Sequence, residues 1–432
     1  MQALRSASGY MAGDRVQLQI QDLHPWGAGV GQHSAYGRVY TPFSFPGEQI
    51  EVELFEQVRP GQWNARRITP LEAVCRRAGE CGGCAWPATL YAEQLRWKEL
   101  LFRRAVAVIP RLAGVKLQVH GNHGNLGFRS RVHLHANFYQ RRLTFGFYAR
   151  GERRLVAIDD CPVAQEPIRR VIAELSAGSE AQWPAENFGF GIELTNLAEA
   201  GHVLLVLYGA PQRRAALEEA VPQFAALPSC PRVLIAFAED NPTFVWQRLP
   251  AATMHTRPGC FQQVNRQQSD VVRQIIAGRL EQFSGGVFFD LYSGSGNYSL
   301  PLHPLAGAIF GCDDNPVGIS LAQYNVQQNA VPHAYYLCAD AGQVMAVPER
   351  YSWPRRADFI VCDPARFGLA KELPRLLARL RPRELVLVSN NTTAFVKDAR
   401  GLIEAGFSPL EIHLVDFFPN TPHWNVVSVW TL

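Results

Sequence analysis

No stretch of the 432-residue chain approaches the ~20 consecutive apolar residues of a membrane-spanning helix. The N-terminal run MQALRSASGYMAGDR is broken by polar and basic residues, so no secretory signal of the usual form is expected there. Neither sign of charge is in large excess: 42 basic against 38 acidic side chains leave +4. Any nucleic-acid affinity must therefore come from where the charge lies. With no leader or span, the expected location is the cytoplasm. Nine cysteines in a reducing compartment speak against a disulfide framework and for thiols that bind metal, react or pack as small hydrophobes.

The length predicts two or three domains, and the patterning changes twice. Residues 1–72 read as all-β: VQLQIQDL, GAGVGQ, GRVYTPF, EQIEVELFEQ and QWNARRIT alternate apolar and polar positions between Gly and Pro. Five such strands predict an OB-like barrel, an architecture that often carries single-stranded nucleic acid. Residues 73–265 read as an α+β domain. Its first helix places Leu90, Trp97, Leu101, Ala105 and Val108 at helical spacing. The stretch 128–154, FRSRVHLHANFYQRRLTFGFYARGERR, follows with seven arginines and one acid, Glu152, among Phe and Tyr. Guanidinium groups neutralise phosphates and aromatic faces stack bases, so this stretch predicts an RNA-contacting sheet face or, more plainly, a solvated basic one. Residues 266–432 alternate strand, loop and helix, predicting a doubly wound, mostly parallel Rossmann-like sheet with its ligand site beyond the carboxyl ends of the strands. LEIHLVDFF and NVVSVWTL, joined by PNTPHW, are expected to form an antiparallel hairpin at the sheet edge.

Three short patterns carry chemistry. Cys75, Cys81 and Cys84 stand in CRRAGECGGC, and Cys161 follows in IDDCPV. This spacing suits an iron–sulfur cluster or a four-thiolate zinc site, with separate core cysteines as the plain alternative. DLYSGSGNYS ends one strand and opens a helix; Gly294 and Gly296 permit close backbone approach to a ligand. Asp313 lies 23 positions after Asp290, where a carboxylate can accept hydrogen bonds from ribose hydroxyls. A dinucleotide fingerprint wants a third glycine, but position 299 is Ser, which favours S-adenosylmethionine. Asp340, after the next strand, is placed to meet the adenine or to cap a helix. Asp363 in VCDPARFG ends the fourth strand at the centre of the sheet, where the atom to be methylated would sit; a turn-forming Asp-Pro is the plain reading.

Taken together, these segments resemble the RNA 5-methyluridine methyltransferases of the iron–sulfur, TRAM-domain type that act on ribosomal RNA. The barrel is similar to TRAM. The resemblance implies a four-iron four-sulfur cluster on Cys75, Cys81, Cys84 and Cys161. GCFQQVN implies a cofactor contact from Gln263, and DLYSGSGN implies contacts from Tyr292, Gly294, Gly296 and Asn297. It likewise implies Asp313 on the cofactor and Asp363 facing the target base.

The family's reaction adds a thiolate to carbon 6 of uracil, passes the methyl group to carbon 5 and removes the carbon 5 proton with a carboxylate. At the matching positions the chain has little to offer. Where the family carries the nucleophilic Cys of S-C-N-P, it reads Ser389, Asn390, Asn391, Thr392; where the family carries the basic Glu of H-x-E, it reads Asn425 after His423 and Trp424. Carboxamides neither add to a pyrimidine nor take a proton near neutral pH. Alternation along a strand turns Cys362 away from the face of Asp363; Cys230, Cys260, Cys312 and Cys338 are expected to pack, and His423 to be structural rather than a substitute base. The expected function is RNA base methylation, on ribosomal RNA, at a changed target atom. A silent RNA-binding assembly factor is the alternative, and the ordinary uracil-5 reaction with relocated groups a further one. A monomer is expected.

Overall fold

The computed structural model describes residues 12–179, 183–197, 203–229, 232–236 and 242–432. Residues 1–11 of the barrel region and Cys230 lie outside the described residues.

Strands β1 (Arg15–Leu23), β2 (Gly29–His33), β3 (Gly37–Thr41), β4 (Gln49–Arg59) and β5 (Gln62–Arg67) close into a barrel of order β1-β2-β3-β5-β4. The alternation read from the sequence fills its interior with Leu18, Ile20, Val39, Ile50, Val52, Leu54, Trp63 and Ala65. Closure removes the exposed edges that five short strands would otherwise present.

Helix α1 (Tyr91–Val106) follows. It buries Gln94, Trp97, Lys98, Leu101, Phe102 and Val106. Leu90 and Val108 fall outside it and are 77% and 59% exposed, so its apolar face is carried by Phe102 and Val106 instead of them. Strand β6 (Lys116–His120) comes next, then β7 (Arg131–Tyr139), β8 (Arg142–Tyr148), β9 (Leu155–Ala157), α2 (Glu166–Ala177), β10 (Phe188–Asn196), β11 (Val203–Tyr208), α3 (Arg214–Ala225) and β12 (Arg232–Ile235). A six-stranded sheet runs β12-β11-β10-β7-β8-β9, with α2 and α3 on the face formed by Leu134, Phe138, Phe145, Ile192 and Leu205. The phenylalanines of the basic stretch, Phe138 and Phe145, thus point into the core; the outward face carries His, Tyr and Arg.

A two-stranded ribbon of β13 (Phe244–Arg248) and β14 (Thr253–Thr256) leads into α4 (Arg266–Leu280). Then alternate β15 (Gly286–Leu291), β16 (Ala306–Asp313), α5 (Pro316–Gln328), β17 (Ala334–Cys338), α6 (Ala341–Ala346), β18 (Phe359–Cys362), α7 (Leu373–Arg379), β19 (Glu384–Ser389), α8 (Thr392–Glu404), β20 (Ser408–Val415) and β21 (Asn425–Thr431). The eight-stranded sheet has the order β17-β16-β15-β18-β19-β21-β20-β6. Strands β15 to β19 pair in parallel. Every residue of β18 and β19 is buried, as expected of strands covered on both faces.

The C-terminal hairpin forms, but it is not the edge. Strand β6 pairs in parallel with Glu411–Val415 of β20 and takes up the backbone groups that an edge would leave open. Trp97, Leu101 and Phe102 of α1 share one core with Phe395, Phe407 and Trp424. The 73–265 stretch therefore contributes to two sheets: β6 and α1 complete the C-terminal one. Among the described residues no helix is long and apolar enough to cross a membrane.

Candidate active site

Four carboxyl-edge loops of the eight-stranded sheet converge. The loop after β15 is shaped by its backbone: Tyr292 holds φ +64°, Gly294 +53° and Gly296 +81°. A left-handed Tyr is a strained conformation that surrounding contacts must hold. Gly294 N donates to Asp313 Oδ2 at 2.9 Å, and Asn315 N donates to Asp313 Oδ1 at 2.9 Å. Asp313 thus braces the glycine loop from the end of β16. Asn315 caps α5, accepting from Val317 and Gly318 N.

Ser299, where a third glycine would be, is fully buried. Its hydroxyl donates to Asp290 and lies 2.7 Å from the Tyr336 hydroxyl. A side chain thus stands where the dinucleotide fingerprint has the glycine of close helix–strand packing, so that fingerprint is not met. Burial pushes Asp290 up to about 7, with Asp313 adding to the rise. Burial pushes Asp363 up to about 8, with Asp290 and then Asp313 adding to it. Three carboxyl groups that repel one another in a low-dielectric pocket favour a cationic ligand, and a sulfonium is one. The Oγ of Ser293 and Oδ1 of Asp290 are buried without partners, so the cradle also holds unmatched polar atoms. Residues and cofactor fit.

Asp363 follows β18, its backbone N donating to Leu291 O at 3.2 Å. The buried Tyr298 hydroxyl stands near the Asp363 carboxyl and opposes the rise in its pKa, and Gln263 Nε2 donates to that same hydroxyl at 3.4 Å. Gln263 thereby reaches Asp363 through Tyr298, a residue that sequence reasoning missed although it lies one position beyond Asn297. Asn297 itself turns away: its Nδ2 donates to Ser269 Oγ at 3.2 Å and its Oδ1 accepts from Arg273 at 2.9 Å, tying the loop to α4. Asp340 is exposed and caps α6, accepting from Gln343 N at 2.9 Å.

The two asparagines after β19 divide their roles. Asn391 is the N-cap of α8 and accepts from Thr393 and Ala394 N. Asn390 makes no such bond, and its Oδ1 is buried without a partner. Register brings Asn425 beside it, because Ser389 pairs with Val426 and Val415 with Asn425. Asn425 is 3% exposed and its Oδ1 also lacks a partner. Buried, unsatisfied amide oxygens are costly and uncommon, and here two stand on neighbouring strands at the ligand edge.

The loop carrying Asn425 is held from α1. Lys98 Nζ donates to Asp416 Oδ1 at 2.6 Å and to the carbonyls of Phe418 and His423 at 3.0 Å. The Tyr91 hydroxyl donates to Asp416 Oδ2 at 2.9 Å. Ala85 and Trp86 N both donate to Asn420 O. His423 keeps an exposed edge, while partial desolvation of its ring by surrounding protein, then Arg366, Lys98 and Arg150, lower its pKa. Of the thiols, Cys362 and Cys312 are core residues among Phe289, Leu387 and Phe395. Cys260 is buried, whereas Cys338 is exposed at the end of β17, contrary to the expectation that it packs, because that strand stops at the surface.

Cys75, Cys81, Cys84 and Cys161 line one cavity of about 120 Å³ with Arg129, Phe147, Ile158 and Asn420. Burial pushes Cys84 up to about 12 and Cys161 up to about 11, with neighbouring thiols adding to each. Among the described residues no group of three or more His, Cys, Asp or Glu is placed so that it could hold a metal ion.

No family model matches the sequence. The chain is 27% identical over 438 residues, covering 97% of it and 96% of its relative, to the 23S rRNA (uracil(1939)-C(5))-methyltransferase RlmD of Shewanella amazonensis. It is 28% identical over 432 residues, 96% of the chain and 94% of the relative, to the RlmD of Yersinia enterocolitica. Among solved structures, the tRNA (uracil-54, C5)-methyltransferase of Pyrococcus abyssi, in complex with S-adenosyl-L-homocysteine, superposes with a TM-score of 0.70 at 22% identity, over 96% of this chain and 100% of that one. That likeness extends the fold across barrel, central sheet and C-terminal sheet alike.

Proposed function

We propose that the chain is an S-adenosylmethionine-dependent RNA base methyltransferase, acting on ribosomal RNA, whose target atom is not carbon 5 of uracil. The observation that carries this reading is the meeting of two partnerless amides, Asn390 and Asn425, at the ends of β19 and β21, with Asp363 following the adjacent strand β18 and a glycine loop braced by Asp313. A braced cradle supports turnover rather than a silent role, and the named relatives are RNA methyltransferases.

Bound S-adenosylmethionine supplies an electrophilic methyl group. The protein's part is then to aim a lone pair and accept a proton. Ring nitrogens and exocyclic amines need no covalent adduct. The two amides offer both donors and acceptors to a base edge, and their lack of protein partners leaves them free to take one. Transfer to an N–H site would form an N–C bond at the expense of the donor's S–CH3 bond, leave the donor as its neutral thioether and release one proton from nitrogen. Asp363, with a pKa near 8, is mainly neutral at pH 7 and accepts that proton in its ionised fraction. Gln263 and Tyr298 fix its orientation.

The sharing of one cavity by the four thiols, with a spacing that resembles the family's cluster motif, supports a four-iron four-sulfur cluster over zinc. Assembly must displace the thiol protons that burial retains. The chain's residues around it are Arg129, whose charge offsets thiolate charge, and Asn420, which ties the site to the loop of Asn425.

The test is nucleoside mass spectrometry of RNA from cells with and without the gene, followed by restoration in vitro with labelled S-adenosylmethionine. The expected result is loss and restoration of one methylated nucleoside other than 5-methyluridine. Loss of 5-methyluridine itself would refute the changed target; no lost modification, with no cofactor binding, would leave the assembly-factor reading.

A further inference from the structure

The basic stretch 128–154 was expected to stack bases with its Phe and Tyr rings, of which Phe138 and Phe145 lie in the core. What the outward face presents is a row of histidine and tyrosine rings. Along β7, His133 and His135 point away from Leu134 and Phe138. His135 stacks on Tyr148 of β8 with ring centres 3.8 Å apart and 20° between planes. His133 lies 5.9 Å from His135 and 5.7 Å from Tyr208 of β11. Room for this row is built into the neighbouring strand: a Cβ at Gly191 would come within 2.8 Å of the His133 ring.

The row continues at both ends. Arg150, two residues past Tyr148, donates to the Trp26 carbonyl at 2.7 Å, and its guanidinium lies 5.7 Å from the Trp26 ring centre. Trp26 belongs to the barrel, where it groups with His24 and Tyr40. At the other end the Tyr208 hydroxyl accepts from Gly259 N at 3.1 Å, at the start of the loop that carries the 70%-exposed Phe261 and then Gln263. Tyr148 and Trp26 are 39% and 41% exposed; with His135 on one side of Tyr148 and Arg150 over Trp26, each has at most one face left for a base. The surroundings are basic: Arg141, Arg142 and Arg153 are exposed, and burial, with Arg131 nearby, lowers the pKa of His133, which keeps that ring neutral at pH 7.

We infer that the line Trp26–Arg150–Tyr148–His135–His133–Tyr208 is a stacking track for single-stranded RNA, leading from the barrel across the central sheet to the loop of Gln263. Neutral rings with one open face take bases without regard to sequence, and the arginines take the phosphates. A duplex, whose bases are already stacked, has no use for such a row. The inference rests on RNA being the polymer acted on, as proposed above.

The test uses the full chain and a fluorescein-labelled, mixed-sequence, 20-nucleotide single-stranded RNA, with affinity read by anisotropy at several salt concentrations. His135→Ala and Tyr148→Ala should each weaken binding about tenfold with little change in the salt slope, because a ring and no charge is lost. Tyr148→Phe, which keeps the ring, should bind as the parent does. Photo-crosslinking of the unaltered protein should place RNA on peptides within 131–150, a readout that does not depend on any variant folding. Parental affinity in both alanine variants, equal loss in Tyr148→Phe, or crosslinks confined elsewhere would overturn the track. Calorimetric binding of S-adenosylmethionine is measured separately, so a failure of the methyltransferase reading is told apart from a failure of this one.

Discussion

Replacing Asp363 by Asn tests the electrostatics of the site through stability. Enclosure beside Asp290 and Asp313 raises the Asp363 carboxyl from 3.8 to about 8. The proton-bound form is therefore favoured by folding: that contribution is complete below pH 3.8 and is lost as the pH climbs to about 8. At about 1.4 kcal/mol per unit, the ionised group costs on the order of 6 kcal/mol, which partial exposure at the mouth of the site reduces to roughly 3. Asn has the shape of the neutral acid, keeps an acceptor for the Tyr298 hydroxyl and never ionises. The variant should match the parent near pH 4 and exceed it increasingly towards pH 8.5, with a melting temperature several degrees higher at the alkaline end. Differential scanning fluorimetry of both proteins from pH 4.5 to 9 reads this directly. A difference in melting temperature that stays flat across that range would show that Asp363 titrates as an ordinary surface carboxylate, and the proton-acceptor role would fall with it. The same variant should lose most methyl transfer, while the parent's rate should rise with pH to a plateau above about 8.

Asp313→Ala removes the acceptor for Gly294 and Asn315 N; S-adenosylmethionine affinity by calorimetry should fall by about 1.5 to 3 kcal/mol, more than tenfold. Lys98→Met leaves Asp416 buried without its counter-charge, with Tyr91 and the Phe418 N–H still donating to it, so urea denaturation should show a loss of about 3 to 5 kcal/mol, largely recovered when Asp416→Leu is added. An RNA carrying 5-fluorouridine should form no covalent, gel-stable adduct with the parent protein, which has no thiol at Asn390; adduct formation would show a relocated nucleophile. With Asn390→Cys and Asn425→Glu together, such an adduct should become detectable.

Some of this was readable residue by residue. The barrel strands show period-two alternation because each has one dry and one wet face, and DLYSGSGN announces a tight loop because only glycines tolerate its dihedral angles cheaply. The likeness of GCFQQVN, VCDPARFG and SNNT to motifs of known order pointed to Asn390 and Asn425 as the altered positions. Other features were hidden. Asn390 and Asn391 are the same residue type in adjacent places, and only the helix start assigns one as cap and leaves the other bare. Phe138 and Tyr139 differ by one step along β7, and which is buried depends on the side taken by α2 and α3.

The amino-acid order alone thus determined local conformation and the two inert amides, since each depends on short-range sterics or on the chemistry of a single side chain. Tertiary structure decided the rest. Lys98 finds Asp416 across 318 positions, β6 closes a sheet whose other strands lie far downstream, and histidines of a basic stretch align into a row with a barrel tryptophan. Such pairings arise from burial and strand register between distant segments, and no local pattern encodes which segments will meet.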